Sequence, residues 1–159
     1  MRFLHSRTGF TLLELILVLA LIVIFALALI PNLFGSRGRT EFDAAGKQMV
    51  VLLREAQNRS IAQASSSAWG VHFENATTTT PFYALFAYPY SSSSVLTYYR
   101  LSSRVQYAST TIALGASKEI VFQQISGFAS ASTTVGILFS GDSQVSSTLR
   151  VSSSGAVTY

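Results

Sequence analysis

The chain of 159 residues contains no cysteine, which excludes disulfides, thiolate zinc sites and cysteine nucleophiles. This absence leaves the compartment open, because an exported protein can do without disulfides. Charged residues are also scarce, at 11% of the chain, whereas a soluble domain carries roughly 25%. The net charge of +4 is modest and gives only weak support to a nucleic-acid partner.

Residues suited to catalysis are few. The two histidines, His5 and His72, are far apart in sequence, and without cysteine neither a zinc site nor a Cys-His pair is supported. A Ser-His-Asp triad built on His72 and Asp142 lacks the Gly-x-Ser-x-Gly turn that would present the nucleophile. Glu74 and Asp142 are too few and too separated for calcium. We therefore expect no enzyme, no bound metal and no cofactor.

A long apolar run is the most prominent feature that is present. Residues 10–30 contain a single charge, Glu14, and no helix breaker precedes Pro31. As a helix the run would be about 30 Å long, which matches the hydrocarbon core of a bilayer. An unpaired carboxylate near the centre of such a helix costs about 2.5–3.5 kcal/mol. The sequence therefore predicts a membrane span whose Glu14 has a partner outside this chain.

The apolar run has three other possible interpretations. A cleaved signal peptide would use Ala26-Leu27-Ala28 as its small-residue site, but its apolar region would span about 7–15 residues. A plain signal anchor would treat Glu14 as incidental, with its side chain reaching the headgroups. A buried core helix would need covering on every face.

The residues at the start of the run carry a resemblance to a known family. Gly9-Phe10-Thr11-Leu12-Leu13-Glu14 follows a short basic leader with Arg2, His5 and Arg7, and Pro31 stands near the end of the run. This spacing resembles the class III signal of type IV pilins and type II secretion pseudopilins. The match covers the first 31 residues.

The resemblance implies specific roles for four residues. A membrane-embedded prepilin peptidase would cut after Gly9, and the new N-terminal Phe10 would be N-methylated. Glu14 would then lie one helical turn from a free ammonium and would neutralise that of a neighbouring subunit during assembly, with Pro31 near the end of the span. The partners implied are the peptidase, other pilin or pseudopilin subunits and the membrane. The protein would be single-pass in the cytoplasmic membrane, with its N-terminus in the cytoplasm and its head periplasmic or extracellular.

Beyond the run, a second helical segment is predicted. Pro31, Gly35 and Gly38 are expected to interrupt or soften the helix. From about residue 40 a period of three to four returns, which is typical of an amphipathic helix that ends near Ala64. Its apolar stripe contains Phe42, Ala45, Met49, Leu52 or Leu53, Ala56 and Ser60.

After residue 67, short runs rich in Val, Ile, Phe and Tyr alternate with Ser, Thr and Gly clusters, which predicts strands. We expect an α+β fold, in which a long N-terminal helix packs on an antiparallel β-sheet head made of one sheet or of two packed sheets. The domains would be a leader (1–9), an assembly helix (10–30), a kinked then amphipathic helix (31–65) and a β-rich head (66–159). The predicted strands are Trp69–Glu74, Phe82–Tyr88, Val95–Arg100, Arg104–Ala108, Glu119–Gln123, Val135–Phe139, Thr148–Ser152 and Ala156–Tyr159, the last two joined by the hairpin turn "SSSG".

A looser resemblance concerns the head. The stretch "LLREAQNRSIAQASSSAWGVHF" at 52–73, followed by an all-β end, resembles GspH-type minor pseudopilins and their type IV pilus counterparts. Phe139 is followed by Gly141 two residues on, which departs from the Phe-x-x-x-Gly stretch of that family. The function implied is a structural subunit of a type IV pilus-like or type II secretion filament.

Two alternative functions are also consistent with the sequence. One is a DNA-binding minor pilin of a DNA-uptake pilus, with Arg100 and Arg104 as the contacts beside Tyr98, Tyr99 and Tyr107. In the simpler interpretation these tyrosines pack the sheet, and the arginines are solvated. The other alternative is a cell-surface β-domain on an unprocessed signal anchor.

Overall fold

The structure, a computed structural model, describes the backbone of residues 11–159 and the side chains of these residues except 27–37, 142 and 143. The chain divides into two units, with the boundary between Arg37 and Gly38. The first unit is helical in its described part, and the second contains the rest of the same helix and all the strands.

Helix α1 extends without interruption from Leu12 to Ile61. The backbone stays helical through Pro31, Gly35 and Gly38, so the helix is not interrupted there. A proline inside a helix removes one hydrogen bond and crowds one turn, and the bonds on either side can keep the helix together. The kink expected at residues 31–38 stays a prediction.

The amphipathic half of α1 is confirmed. Phe42, Met49, Leu53 and Ala56 are buried, and Ser60 is buried with them. The opposite face carries exposed charges joined at i,i+4 spacing, with Asp43–Lys47 at 2.8 Å and Glu55–Arg59 at 2.6 Å. Periodicity of 3.6 thus placed the core-facing side correctly.

Eight strands follow α1 and a short 3₁₀ turn at Ala64–Ser66, and they form two four-stranded antiparallel sheets. Sheet A has the order β3-β2-β1-β5, and sheet B has the order β4-β6-β7-β8. The strands are β1 Trp69–Glu74, β2 Phe82–Ala87, β3 Val95–Arg100, β4 Val105–Tyr107, β5 Ser117–Phe122, β6 Thr133–Phe139, β7 Asp142–Val151 and β8 Val157–Thr158.

The core lies between the inner faces of the two sheets and the buried stripe of α1. Alternation along β1 sends Val71 and Phe73 into this core, while His72 and Glu74 face outward. Sheet B contributes Val135, Ile137 and Leu149 to the same cluster. The expected fold, a helix packed on an antiparallel sheet, is confirmed, and the sheet is in fact two packed sheets.

The predicted strands all correspond to observed ones, and the largest difference is in β7. This strand begins at Asp142 and not at Thr148, because its first half pairs with β6 through serines such as Ser146 and Ser147. A run of small polar residues has little apolar alternation, so periodicity does not reveal it. The "SSSG" hairpin is confirmed, with Gly155 at φ +83° in its turn.

Candidate functional site

The first unit presents an apolar surface that nothing in it covers. Twelve large apolar side chains between residues 12 and 25 are all exposed, from 42% at Val18 to 76% at Leu12. Because consecutive residues lie about 100° apart around a helix, these positions cover every face. The residues are Leu12, Leu13, Leu15, Ile16, Leu17, Val18, Leu19, Leu21, Ile22, Val23, Ile24 and Phe25. A helix of this kind needs lipid or other apolar helices around it.

Glu14 lies in the first turn of α1. Its backbone N–H donates to Thr11 Oγ1 at 3.3 Å, so that Thr11 caps the helix. A carboxylate in this turn also complements the positive end of the helix dipole. The Thr-x-x-Glu spacing is the sequence signature of a capping box, and our sequence reasoning did not use it here. The Glu14 side chain itself is exposed.

The other residues assigned to processing and assembly cannot be located. Gly9 and Phe10 lie outside the described residues, as does the side chain of Pro31. Among the residues that the structure describes, no helix is both long enough and apolar enough to cross a membrane.

The two arginines considered for DNA contact are both exposed. Arg100 ends β3 and is paired in register with Phe82 on the outer face of sheet A, and Arg104 precedes β4. The nearby tyrosines are divided among different environments. Tyr107 is buried and donates its hydroxyl to the Phe82 carbonyl at 2.9 Å, while Tyr98 is 55% exposed.

Tyr99 belongs to neither group, since its ring stacks on buried Tyr83 at 5.6 Å. Burial raises the pKa of Tyr83 to about 12, and it also raises the pKa of Tyr107. Of these three tyrosines, Tyr98 is therefore the one that is exposed on the outer face of sheet A together with Arg100. Packing of the sheet accounts for Tyr107 and for most of the contact made by Tyr99, and the DNA contact stays a prediction.

Sequence reasoning missed one polar cluster on the outer face of sheet A. His72 is buried, and its ring nitrogens lie 3.2 Å from Glu119 and 3.3 Å from Glu74. His72 and Glu74 are two residues apart on one strand, which places them on one face and could have been inferred. Glu119 depends on the β1–β5 register, which the sequence did not provide. Within the described part of the chain, no group of three or more such residues is arranged to hold a metal ion.

Comparisons with known proteins agree with the motif and with the fold. Residues 4–30 match the family model described as the prokaryotic N-terminal methylation motif. No curated protein matches the chain.

Among solved structures, two crystal forms of the type IV minor pilin FimU from Pseudomonas aeruginosa are similar, each with 15% sequence identity. One has a TM-score of 0.55 and aligns 76% of this chain with 88% of FimU. The other has a TM-score of 0.51 and aligns 73% with 90%. The chain thus carries the N-terminal methylation motif of pilins and has a fold similar to that of this minor pilin.

Proposed function

We propose that this protein is a structural subunit of a type IV pilus-like or type II secretion-like filament. It is held in a membrane by the first part of α1 and assembles by packing that part against the helices of other subunits. The observation that carries the proposal is the exposure of the apolar side chains on all faces of residues 12–25, which lie within the methylation motif at 4–30. Burying them removes a large apolar area from water, at about 25 cal/mol per Å².

Processing would supply a partner for the exposed Glu14 carboxylate. Cleavage between Gly9 and Phe10 leaves an ammonium at residue 10, one helical turn before Glu14. In a bundle of such helices, the carboxylate of one subunit can pair with the ammonium of the next. A pair in low dielectric specifies register more surely than it adds stability.

The proposed topology is a single pass through the cytoplasmic membrane, with the N-terminus in the cytoplasm and residues 38–159 on the other side. The partners are a prepilin peptidase and other pilin or pseudopilin subunits. A minor subunit is the narrower form of this proposal, supported by the likeness to a minor pilin in fold. The GspH-type assignment rests on the sequence resemblance alone.

Mass spectrometry of the N-terminus tests the proposal directly. The chain is purified from cells that contain a prepilin peptidase and from matched cells that lack it. We expect a mature chain that begins with N-methylated Phe10 in the first case and the intact chain in the second. Gly9→Val should block cleavage, whereas Ser6→Ala, a change in the same leader, should not.

Two results would contradict this function. A mature chain that begins at Leu29 would indicate an ordinary signal peptide. An intact Met1 in the presence of the peptidase would favour an unprocessed signal anchor. Either result is distinguishable from poor expression, because both are read from recovered protein.

A further inference from the structure

The outer face of sheet A carries a cluster that the proposed filament function does not use. We call it the His72 cluster, and it consists of His72, Glu74, Glu119 and Tyr90. His72 is 3% exposed, while the two glutamate side chains are each 38% exposed. The Tyr90 ring lies flat on the imidazole, with the ring centroids 3.8 Å apart and the planes at 2°. Four side chains from β1, β5 and the β2–β3 loop thus meet at one buried ring.

The two contacts of the ring can both be hydrogen bonds to carboxylates only when the ring is positively charged. Nδ1 lies 3.2 Å from Glu119 Oε1, and Nε2 lies 3.3 Å from Glu74 Oε2. A neutral imidazole has one N–H and one lone pair, so it can donate to only one of two carboxylates and directs the lone pair at the other. The imidazolium donates to both. It also places one positive charge between two negative charges in a poorly solvated position.

Every element packed on the ring is consistent with a positive charge. Glu74 comes from the same strand, Glu119 from β5 and Tyr90 from the loop, and β2 contributes only the uncharged Phe82 and Ala84. The face of an aromatic ring attracts a cation, which favours the Tyr90 stack on the charged form. Burial raises the pKa of Tyr90, and Glu74 and Glu119 add to this effect, so its hydroxyl stays protonated at neutral pH.

Tyr90 links the middle of the loop at residues 88–94 to the sheet through its side chain. Its ring makes an edge contact with Phe86 at 5.1 Å. The two ends of the loop are held by backbone hydrogen bonds, from Tyr88 N–H to the Ala68 carbonyl at 2.8 Å and from Ala87 N–H to the Ser94 carbonyl at 3.0 Å. Within the loop, Ser91 N–H donates to Ser94 Oγ at 2.9 Å. Beside the loop lies a groove of about 300 Å³ lined by Phe82, Ala84, Tyr90, Tyr98 and Arg100, with Val95 of β3 and three small residues of the flanking loops. Arg100 is the cation that faces this groove.

From this geometry we infer that the His72 cluster is a protonation-dependent clasp that holds the 88–94 loop over the outer face of sheet A. The closed position of the loop depends on the proton on His72, and the open position does not. Closure is therefore favoured at low pH and is lost as pH rises, since proton loss removes the cation that the face of the stacked Tyr90 ring attracts. Opening enlarges the groove and exposes Ala84 and Phe86. This inference is independent of the filament proposal.

Nuclear magnetic resonance on the full chain in detergent micelles tests the clasp. His5→Gln leaves His72 as the sole histidine, and the titration covers about pH 5 to 8, the range of histidine switches. We expect the ring ¹⁵N shifts of His72, the ring proton shifts of Tyr90 and the amide protection factors of Ser91 and Ser94 to change together. Loss of the cation–π contact between His72 and Tyr90 should lower these protection factors roughly two- to tenfold. Constant Trp69 emission shows that the core stays folded.

Three variants separate the clasp from a passive cluster. Glu119→Gln removes one carboxylate and should move the coupled change to lower pH. Tyr90→Leu should leave a titrating His72 but uncouple it from the loop, and Tyr88→Phe, in the same loop with its ring 56% exposed, is the matched control.

The clasp is overturned by any of four results. With the cluster unsubstituted, the His72 ring would keep one charge state throughout the range, or it would titrate while the loop stays protected. In the variants, the loop of Tyr90→Leu would still follow the charge of His72, or Glu119→Gln would leave the transition at the same pH.

Discussion

The hydroxyl of Ser60 is fully buried and contacts the backbone of Trp69 twice. It accepts from Trp69 N–H at 2.7 Å and donates to the Trp69 carbonyl at 3.3 Å, so it joins the end of α1 to the start of β1. Arg59 adds to this junction by lying 4.9 Å above the indole ring. The residue lies on the predicted apolar stripe, yet its hydroxyl satisfies two buried backbone groups at the start of β1.

We expect Ser60→Ala to lower the free energy of unfolding by about 1–3 kcal/mol, because two buried backbone groups would lose their partner. Urea denaturation followed by Trp69 fluorescence measures this change. Ser103→Ala is the matched control at an exposed serine and should stay within about 0.5 kcal/mol of the parent. Equal effects of the two substitutions would contradict the assigned role.

Tyr83 gives a residue-level prediction for alkaline pH. Burial, and secondarily Tyr99, raises its pKa from 10.0 to about 12. The folded state therefore keeps the Tyr83 proton while the unfolded state loses it, so stability is complete below about pH 10 and falls from there towards pH 12. A shift of this size corresponds to about 2–3 kcal/mol.

Replacement of Tyr83 by Phe should make this decline shallower, although buried Tyr107 acts in the same direction. Urea unfolding at several pH values between 9 and 11 gives the slope for each protein. Tyr98→Phe, at an exposed ring on the same sheet, is the control. If both variants changed the slope equally, burial of Tyr83 would not be its cause.

Among the larger elements, α1 combines two surfaces with different requirements. Its residues 12–25 are apolar on all faces and exposed, whereas from Phe42 onward a single stripe is buried. Glu14→Ala should leave membrane insertion intact, since it removes a charge from the apolar part. The same change should reduce filament yield by about tenfold or more, because a buried pair deprived of one partner costs about 3–5 kcal/mol.

Electron microscopy and membrane fractionation measure these two effects separately. Asp43→Ala is the matched control, because it removes a carboxylate from the same helix at an exposed i,i+4 pair. We expect normal filaments from that variant. Normal filaments from Glu14→Ala would remove the assembly role of this residue.

The turns of the β-rich unit are a second element-level feature. Gly155 has φ +83°, and a Cβ at this position would collide with the Gly127 carbonyl oxygen. Gly115 has a similar φ of +80°, but a Cβ there would meet only a Thr77 methyl group at 3.3 Å. The two positions thus separate the cost of the left-handed conformation from the cost of a backbone collision.

We expect Gly115→Ala to cost about 1 kcal/mol, the usual cost of φ > 0 for a residue with a Cβ. Gly155→Ala should cost more, because the Gly127 backbone must move. Thermal unfolding by circular dichroism compares the two, and each 1 kcal/mol lowers Tm by about 2–8 °C in domains of this size. A larger loss at Gly115 would contradict the predicted collision.

At the scale of the whole molecule, residues 38–159 contain a complete core of their own, formed by both sheets and the stripe of α1. We expect a fragment of residues 38–159 to be monomeric and to unfold in one cooperative transition, as single domains of this size usually do. A fragment of residues 66–159 should fail to fold, since it lacks Met49, Leu53 and Ala56, which are completely buried. Urea denaturation and sedimentation test both fragments, and a stable 66–159 fragment would show that α1 is dispensable to the core.

Much of this architecture was predictable from the sequence because the relevant signals are local. Periodicity reveals the stripe from Phe42 to Ser60 and the runs that form β1 to β3, since side chains repeat every 3.6 residues on a helix and every two on a strand. Gly9, Phe10 and Glu14 were identified from the resemblance of the first 31 residues to the class III signal. Their roles in processing and assembly stay predictions.

Properties that join distant residues needed the tertiary structure. Pairing of β1 with both β2 and β5 brings Glu119 to His72, and separation of β4 into sheet B buries Tyr107. Neither follows from a local pattern, because strand order and register are set by which apolar faces can be buried together. The sequence by itself determined the apolar helix, its lone acid and the β-rich end. Tertiary structure decided the two-sheet core and the buried histidine, because only the folded chain fixes which side chains lose contact with water.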